Sequence, residues 1–510
     1  MYQTIDYDVV IVGGGLSGTT AAYTLLEKVP TLNVLILEAK DNIGGRTQNV
    51  NLRVRNGELA SFDLGWCWIE NDHKSVKSLV DKLDLQLVTV NKVGKVVIQY
   101  KSYYKQQQHN YLHKFLNILE RYELRQFSNK VEYLCQQLIE GVRLEQFDLV
   151  TTGAFIKTHV RNEAVKAVLH QTIFNHFGIT PENLQLVTYL FFCCYVKPIN
   201  KQLLNTKKEF VKGGCHSICE SIISIIGHKC VKTGTKVISL VHTEEYVKVI
   251  TQTKEYISRY VIVAVPPKDF QSIRIYPILS ATHIATVRNV KYGPITNFII
   301  TYQTDFWTER GLCGDYFSFD RQSCINACFN VTVDGKAALF GHIFGNKVYE
   351  DAGDTLNNYR YKNIVLQQLE NVFGRAAKKP IDYCEKTWSE TSDTLIYTWG
   401  VKTKDCVEVI HNTDYDRIHF CGAEASVKWY STMNGAVETG IRTAQQILYL
   451  LRPNALTLEE IHEFSTAVPL EVRVPPIRSC FWMNWKFIVP VALIGVIGVV
   501  FKLKYKKGTE

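Results

Sequence analysis

The sequence predicts an α/β fold with at least two domains and a C-terminal helix in a membrane. Three observations support this prediction. An apolar strand near the N-terminus runs directly into a glycine-rich turn and a helix, the first unit of a parallel α/β sheet. The chain has 510 residues, more than one hydrophobic core normally holds, and an uncharged apolar segment lies near its C-terminus.

The bulk composition is that of a folded globular protein. Hydrophobic residues make up 46%, aromatic residues 12% and charged residues 21% of the chain, which excludes general disorder. The formal net charge is +9, and about half of this excess comes from six basic residues near the C-terminus set against Glu510, namely Arg478, Lys486, Lys502, Lys504, Lys506 and Lys507. The rest of the chain is nearly balanced, so the sequence does not predict a nucleic-acid partner.

The fourteen cysteines are scattered along the chain. No secretory leader precedes the apolar strand at Tyr7, so a disulfide framework is not expected. The closest spacings are Cys193–Cys194, Cys215–Cys219 and Cys324–Cys328, and none of them matches a zinc ligand set with nearby histidine. We therefore expect reduced, mostly buried thiols in a reducing compartment, and no metal site.

The segment Phe487–Phe501 carries no charge, follows an aromatic cluster and precedes four lysines. This pattern predicts a membrane anchor at 481–503 and a basic tail at 504–510, joined to the body by a linker at 452–480. A buried core helix is the alternative, and the lysines disfavour it. The body would face the cytosol, and the short basic-flanked span favours the mitochondrial outer membrane over thicker membranes, while the sequence does not decide between the mitochondrial and endoplasmic reticulum membranes.

The N-terminal motif consists of a strand at Tyr7–Val12, six residues rich in glycine, and a helix at Thr19–Lys28. Gly13 would permit the tight turn, Gly15 would let the backbone approach a pyrophosphate, and Gly18 would allow helix and strand to pack closely. The free amides at the start of the helix would face the phosphates. This is the glycine pattern of a Rossmann-type dinucleotide-binding domain.

Two further features follow the motif: the first supports a dinucleotide, and the second favours FAD over NAD. A second strand, Val34–Leu37, ends at Glu38, whose carboxylate can accept hydrogen bonds from ribose hydroxyls. A second glycine-rich turn, Ile43–Thr47, is placed to reach the diphosphate from the other side. The runs DVVIVGGGLSG and LEAKDNIGGRT resemble the FAD-binding opening of the flavin amine oxidases, which include the monoamine and polyamine oxidases.

Later stretches resemble the remaining flavin contacts of that family. They are a strand from Lys232 to Ser239, the return strand Tyr260–Pro267, the strand and turn Arg417–Glu424, and Trp429–Gly440 leading into a helix that reaches about Leu451. The motif and the resemblance together predict these FAD-binding residues: Gly13, Gly15, Leu16, Ser17, Gly18, Glu38, Ala39, Gly44, Gly45, Arg46, Thr47, Val237, Gly422, Glu424 and Met433.

The resemblance implies a discontinuous FAD-binding domain at 1–80, 205–285 and 396–451. It also implies an interleaved α+β substrate domain at 81–204 and 286–395. Within the latter, a stretch from Leu184 to Lys197 resembles the apolar helix that lines the substrate cavity of monoamine oxidases. An ordinary core helix explains that stretch equally well.

In this family, hydride passes from the carbon beside an amine to the flavin, and dioxygen then accepts the electrons and gives hydrogen peroxide. The resemblance assigns catalytic positions to Asn297, Tyr397 and Thr432 and substrate contacts to His342, Tyr397 and Thr432. Asn297 replaces a lysine, so a water could still be held there but no positive charge is supplied. Tyr397 supplies one ring of an aromatic pair, and Thr432 replaces the other.

Three more positions are compared with the pattern of the family. No cysteine lies between Trp388 and Gly400, where monoamine oxidases attach the flavin, so FAD is predicted to be non-covalent. Trp66 replaces a small residue and could narrow the cavity or cover part of the flavin. His342 could titrate beside a bound amine, or it could be a hydrogen-bonded structural histidine.

Three hypotheses about function remain. The first is an FAD-dependent oxidase of a primary or secondary amine, with the small amine and dioxygen as partners and membrane lipid around the anchor. The second is a flavin-binding pseudoenzyme or scaffold at the membrane, favoured by Asn297, Thr432 and Trp66. The third is a related FAD oxidoreductase acting on a non-amine substrate. The sequence leaves the oligomeric state open, including a homodimer.

Overall fold

The structure, a computed structural model, describes residues 4–89, 93–108, 112–140, 147, 149–203, 208–278, 290–345, 359–388, 395–397, 417–426 and 428–466. The predicted anchor at 481–503, the basic tail at 504–510 and the linker beyond residue 466 lie outside the described residues. Among the residues that are described, no helix combines the length and apolar character needed to cross a membrane.

The strands are, in chain order, β1 (Tyr7–Val12), β2 (Val34–Leu37), β3 (Asn49–Arg53), β4 (Leu59–Asp63), β5 (Leu87–Thr89), β6 (Lys95–Tyr100), β7 (Tyr103–Gln107), β8 (Glu209–Val211), β9 (Val231–Lys232), β10 (Val237–His242), β11 (Val247–Thr251), β12 (Glu255–Val263), β13 (Arg274–Tyr276), β14 (Val290–Tyr292), β15 (Ile295–Thr301), β16 (Leu312–Ser318), β17 (Ala327–Asn330), β18 (Ala338–Phe344), β19 (Asp382–Trp388), β20 (Leu395–Tyr397) and β21 (Ile418–Phe420). The α-helices are α1 (Leu16–Lys28), α2 (Lys74–Lys82), α3 (Ile118–Ile139), α4 (Thr152–His159), α5 (Glu163–Phe177), α6 (Leu186–Tyr195), α7 (Ile199–Gln202), α8 (His216–Ile226), α9 (Pro267–Phe270), α10 (Lys362–Phe373), α11 (Met433–Leu451) and α12 (Leu458–Thr466).

The first large sheet has the strand order β13-β10-β11-β12-β1-β2-β9, with β21 also paired to β12. Strand β1 pairs in parallel with both β2 and β12. Alternate residues of β1 belong to two different apolar clusters, Val9 and Ile11 to one and Val10 and Val12 to the other. Both faces of the strand are therefore buried, which explains its uninterrupted apolar sequence.

The second large sheet has the order β19-β15-β18-β17-β16-β6-β7. Strand β15 is buried along its whole length and pairs antiparallel with β18 on one side and β19 on the other. These pairings place Asn297 directly opposite His342 and Lys386. Because residues directly opposite each other point to the same face of a sheet, the three side chains form a row.

The described residues between 118 and 202 are mainly helical. The first of these helices, α3, begins at a reciprocal cap in which Asn117 accepts from the Glu120 amide at 2.9 Å and Glu120 accepts from the Asn117 amide at 2.8 Å. Helix α3 packs against α6, the apolar helix predicted in this region. Helix α6 occupies Leu186–Tyr195, inside the stretch that the sequence indicated.

The α/β class is confirmed, and β1 and β2 have the predicted limits. Two local predictions were wrong. Helix α1 begins at Leu16 rather than Thr19, because the turn already ends at an extended Gly15. The single strand predicted from Lys232 to Ser239 is two strands, β9 and β10, separated by a turn in which Gly234 has a φ of +59°.

Candidate active site

The glycine-rich turn after β1 is held by contacts that leave no room for side chains at two positions. Gly13 has a φ of +110° and its amide donates to the Leu37 carbonyl at 2.9 Å. A Cβ on Gly18 would lie 2.1 Å from the Gly13 carbonyl oxygen, whereas a Cβ on Gly15 would meet no heavy atom within 4 Å. The space beside Gly15 is open because it belongs to a cavity that Gly15 lines.

The Glu38 carboxylate at the end of β2 is fixed by two backbone amides. Its Oε2 accepts from Gly14 at 2.7 Å and its Oε1 accepts from Lys40 at 2.9 Å. The side chain lines the cavity beside Gly15 and is buried. Each carboxylate oxygen can accept more than one hydrogen bond, so both remain able to accept from a hydroxyl group in the cavity.

The second glycine-rich turn packs against the first. The Gly44 amide donates to the Gly14 carbonyl at 2.8 Å. Gly44 must lack a side chain, because a Cβ there would lie 2.3 Å from His216 Nδ1. Arg46 then forms a two-pronged ion pair with the buried carboxylate of Glu424, with Nη2 and Oε2 2.9 Å apart. Such bidentate pairs fix the guanidinium plane, so this bond ties the turn to the C-terminal part of the fold.

The cavity has a volume of about 320 Å³, within the usual range for cofactor sites. It is lined by most of the predicted FAD-binding residues and by one predicted catalytic residue: Gly13, Gly15, Leu16, Ser17, Glu38, Ala39, Gly44, Gly45, Arg46, Thr47, Val237, Thr432 and Met433. Three of the predicted FAD-binding residues are not among those that line it. Gly18 packs behind the turn, Glu424 holds Arg46 from outside, and Gly422 lies in a turn with a φ of +151°.

The first residues of two helices meet this cavity. Helix α1 starts after Gly15 with no side-chain cap, so its first amides remain available to an anion. Helix α11 starts after Thr432, whose Oγ1 accepts from the Gly435 amide at 3.1 Å. The open space at Gly15, the fixed Glu38 carboxylate and the amides of α1 therefore fit a ribose and a diphosphate.

The sequence prediction missed three charged residues of the cavity: Lys40, Lys236 and Asp269. Burial raises the pKa of Asp269 even though the two lysines lie nearby. Two of the three had a local signal. Lys40 follows Glu38 by two residues, and Asp269 follows the paired prolines at 266–267 by two.

Asn297 lies behind this cavity and does not line it. Its Nδ2 donates to the Leu64 carbonyl at 3.0 Å and to the Gly65 carbonyl at 3.4 Å. Its Oδ1 therefore accepts from His342 Nδ1 at 2.8 Å. This bond fixes the neutral histidine with its proton on Nδ1, which leaves Nε2 as an acceptor.

His342 sits among aromatic rings. The centroid of its ring lies 6.4 Å from that of Trp66, 5.8 Å from that of Phe329 and 4.9 Å from that of Phe340. Burial, followed by the charge of Lys208, lowers the pKa of His342 to about 3. The imidazole is therefore neutral at physiological pH. Trp66 lines the cavity, so this aromatic group reaches from Asn297 to the proposed FAD site.

Comparison with known proteins identifies the family. The model of the flavin containing amine oxidoreductases matches residues 16–448. The chain belongs to this family. A probable flavin-containing monoamine oxidase A of Dictyostelium discoideum is 27% identical over 461 residues, which cover 86% of this chain and 97% of the relative. Flavin-containing amine oxidase B of Sus scrofa is 28% identical over 514 residues, covering 96% and 95%.

Solved structures of this family share the fold. A cyclohexylamine oxidase from Brevibacterium oxydans superposes with a TM-score of 0.78 at 21% identity, covering 88% of this chain and 99% of that chain. A wild-type putrescine oxidase bound to putrescine gives a TM-score of 0.77 at 20% identity, covering 87% and 99%. Membership of the family makes this chain an FAD-dependent amine oxidase and confirms the predicted family, cofactor and reaction class.

Two predicted substrate residues of this amine oxidase differ in how they are placed. Thr432 lines the cavity, and its hydroxyl donates to the Trp429 carbonyl at 2.7 Å. The backbone of Tyr397 pairs with that of Val290, while its side chain lies outside the described part of the structure. Within the described residues, no group of three or more histidine, cysteine, aspartate or glutamate side chains could hold a metal ion.

Proposed function

We propose that this amine oxidase converts a primary or secondary amine to an imine, with FAD held in the cavity between Gly15 and Met433. When bound, FAD accepts a hydride from the carbon beside the nitrogen and passes the electrons to dioxygen. The observation that carries the proposal is the convergence of the α1 amides, the Glu38 carboxylate and the start of α11 on one cavity.

The start of α11 has a specific role in this proposal. The positive end of its dipole lies at Met433, which lines the cavity. The backbone amides at the start of α11 would therefore stabilise negative charge in that part of the cavity. Thr432 keeps the first turn in place, because its hydroxyl caps the Gly435 amide.

We also propose non-covalent attachment of FAD. Among the described residues that line the cavity, none is a cysteine. The sequence between Trp388 and Gly400 likewise contains no cysteine. Acid precipitation should therefore release all of the FAD into the supernatant, and flavin that stays with the pellet would contradict this part of the proposal.

The two large sheets support the proposed division into domains. Strands of the first sheet come from 7–37, 231–276 and 418–420, inside the stretches assigned to FAD binding. Strands of the second come from 95–107, 295–344 and 382–388, inside the stretches assigned to the substrate domain. Asn297 connects the two proposed domains. It lies on β15 of the substrate domain and donates to the Leu64 carbonyl just beyond β4, which belongs to the FAD-binding stretch 1–80.

For the reaction itself, we propose that Asn297 and His342 are positioning residues. Asn297 holds the Leu64–Gly65 backbone, which carries Trp66 into the cavity. His342 stays neutral, so it does not repel an ammonium group. Tyr397 would supply the aromatic surface beside the substrate, and the short Thr432 side chain would leave room for a bulkier amine.

The decisive experiment uses the full chain purified in detergent. A yellow protein that releases FAD on acid precipitation, is bleached by an amine without oxygen and produces peroxide in air would support the proposal. A panel of primary and secondary amines, aliphatic and aromatic, would then define the substrate class. Yellow protein that no amine bleaches would favour the scaffold hypothesis, and bleaching by a non-amine would favour a different substrate class.

The lysine missing at position 297 can be tested directly. Asn297→Lys restores a cation, so we expect dioxygen to be consumed faster during turnover. Asn297→Met has a similar length without the charge and controls for loss of the amide contacts. Equal rates of oxygen consumption by the two variants would remove the argument about charge at this position.

We further propose that 481–503 anchors the protein in the mitochondrial outer membrane with the body in the cytosol. The uncharged segment between an aromatic cluster and lysines supports this proposal. Full-length protein should stay with mitochondrial membranes after carbonate extraction, whereas a chain ending at Ile477 should not. Light scattering of the detergent-solubilised protein would show whether it forms the homodimer that the sequence leaves open.

A further inference from the structure

Three thiols meet where α3 packs against α6. The Cys135 thiol, on α3, donates to the Leu190 carbonyl at 3.6 Å. The Cys194 thiol, near the end of α6, donates back to the Cys135 carbonyl at 3.7 Å. Cys193 precedes Cys194 on α6, and the two contacts bring the Cys135 and Cys194 side chains to the same point between the helices.

The three thiols differ in their hydrogen-bond partners and in their burial. Cys193 is buried, and its sulfur accepts from Gln202 Nε2 at 3.4 Å. The same amide nitrogen also donates to the Lys197 carbonyl at 2.7 Å, which holds Gln202 in place. Cys194 is half-buried and Cys135 is buried. Cys194 is therefore the most exposed member of the cluster, and 9% of the Cys135 surface also remains exposed.

The three thiols differ in acidity, because burial raises the pKa of Cys193 and the hydrogen bond to Cys135 raises that of Cys194. Hydrogen bonds from the Cys193 and Cys194 thiols lower the pKa of Cys135. By contrast, burial raises the pKa of both Cys230 and Cys384. Because a thiolate, and not a thiol, reacts with peroxide, Cys135 is the first thiol of this cluster to react.

We propose that Cys135 and Cys194 form an oxidation site at which hydrogen peroxide produces a disulfide between α3 and α6. The peroxide comes from the enzyme's own turnover, and in this respect alone the inference rests on the proposed function. The site needs no other oxidant. In a reducing compartment a thiol reductant would restore the two thiols.

The chemistry balances in two steps. The Cys135 thiolate attacks one peroxide oxygen, the O–O bond breaks, and the departing hydroxide takes a proton to become water. Sulfur is oxidised to a sulfenic acid as peroxide is reduced. The Cys194 sulfur then attacks the Cys135 sulfur, the S–O bond breaks, and a second water leaves as the disulfide forms. In total, two thiols and one peroxide give one disulfide and two waters.

The bond would join two cysteines that are 59 positions apart, one on α3 and one on α6. Helix α6 also carries Phe192, whose ring lies 4.9 Å from Phe177 and 5.4 Å from His176 between centroids. Cross-linking therefore fixes a helix that packs on α5 as well as on α3. The fraction of chains that carry the Cys135–Cys194 disulfide would therefore increase with the amount of peroxide that the enzyme has released.

The test uses reduced full-length protein in detergent, treated either with equimolar hydrogen peroxide or with a turned-over amine in air. After denaturation in N-ethylmaleimide and digestion, mass spectrometry without reduction identifies the cross-linked peptides. We expect a Cys135–Cys194 link in both arms and suppression by catalase in the amine arm. Cys230 should be recovered as its maleimide adduct.

Variants separate the roles of the thiols. Cys194→Ser should abolish the link and leave a sulfenic acid on Cys135 that dimedone traps. Cys193→Ser and Cys230→Ser should retain the link. The proposal is overturned if added peroxide leaves Cys135 and Cys194 alkylatable, or if Cys193→Ser loses the link while Cys194→Ser keeps it. If added peroxide forms the Cys135–Cys194 link but no amine leads the enzyme to release peroxide, the proposed function is refuted and the oxidation site is not.

Discussion

Gly15→Ala and Gly18→Ala add the same methyl group to one turn, with different expected outcomes. At Gly15 the backbone has a φ of −76° and a ψ of −179°, which alanine adopts without strain, and no heavy atom lies within 4 Å of the new Cβ. At Gly18 the new Cβ would lie 2.1 Å from the Gly13 oxygen. We therefore expect Gly15→Ala to fold normally and Gly18→Ala to be destabilised.

The magnitudes follow from these contacts. Gly15→Ala should change the free energy of unfolding by less than about 1 kcal/mol. Its methyl group projects into the cavity and blocks one charge-assisted hydrogen bond from the backbone to a phosphate, so FAD should bind roughly 10- to 100-fold more weakly. In Gly18→Ala the helix must move by about 1 Å to relieve the contact, a change that typically costs about 1–3 kcal/mol.

Two assays on the full chain in detergent separate these effects. Urea unfolding, followed by tryptophan fluorescence on protein freed of flavin, reports the stability of each variant. Quenching of FAD fluorescence on titration with the same protein reports the affinity. The reasoning is refuted if Gly15→Ala binds FAD as tightly as the unaltered protein. It is also refuted if Gly18→Ala is as stable as Gly15→Ala.

Three other predictions concern charged and titratable groups. Glu424→Gln removes the anion that holds Arg46, so FAD binding should weaken by about 2 kcal/mol, or about 30-fold, in equilibrium dialysis. Burial raises the pKa of Asp63 to about 7, so the folded state keeps a proton that the unfolded chain loses above about pH 4. The free energy of unfolding therefore falls by up to about 4 kcal/mol as the pH rises from about 4 to about 7. Asp63→Asn should remove this pH dependence, which urea unfolding at a series of pH values measures. His342→Phe should lower the free energy of unfolding in urea by about 1–3 kcal/mol, because the Asn297 Oδ1 loses its donor. The pH profile of kcat/KM above pH 5 should keep its shape, because His342 is already neutral there.

The parts of the fold that were predictable are those that depend on local sequence. Strands β1 and β2 have the expected limits because short apolar runs between turn residues define buried strands. The α11 helix was expected to reach about Leu451 and ends there. The cavity residues of both glycine-rich turns were found in the same way, since the backbone requirement for glycine is local.

The parts that could not be predicted depend on residues far apart in the chain. Arg46 and Glu424, whose side chains pair, are separated by 378 positions. The hydrogen bond between Asn297 and His342 depends on the register of β15 against β18, and no local pattern states that register. Lys236 reaches the cavity from the turn between β9 and β10, which the sequence had suggested was continuous strand.

The cavity walls come from residues 12–66, 235–273 and 423–436. A ribosome delivers these segments in that order, so the glycine motif emerges hundreds of residues before the helix that closes the opposite wall. The nascent chain therefore cannot complete its pocket until translation is nearly finished. FAD is therefore expected to bind only late in synthesis of the chain. A fragment that stops before Ala423 would contain the glycine motif but would lack the residues at 423–436 that complete the cavity.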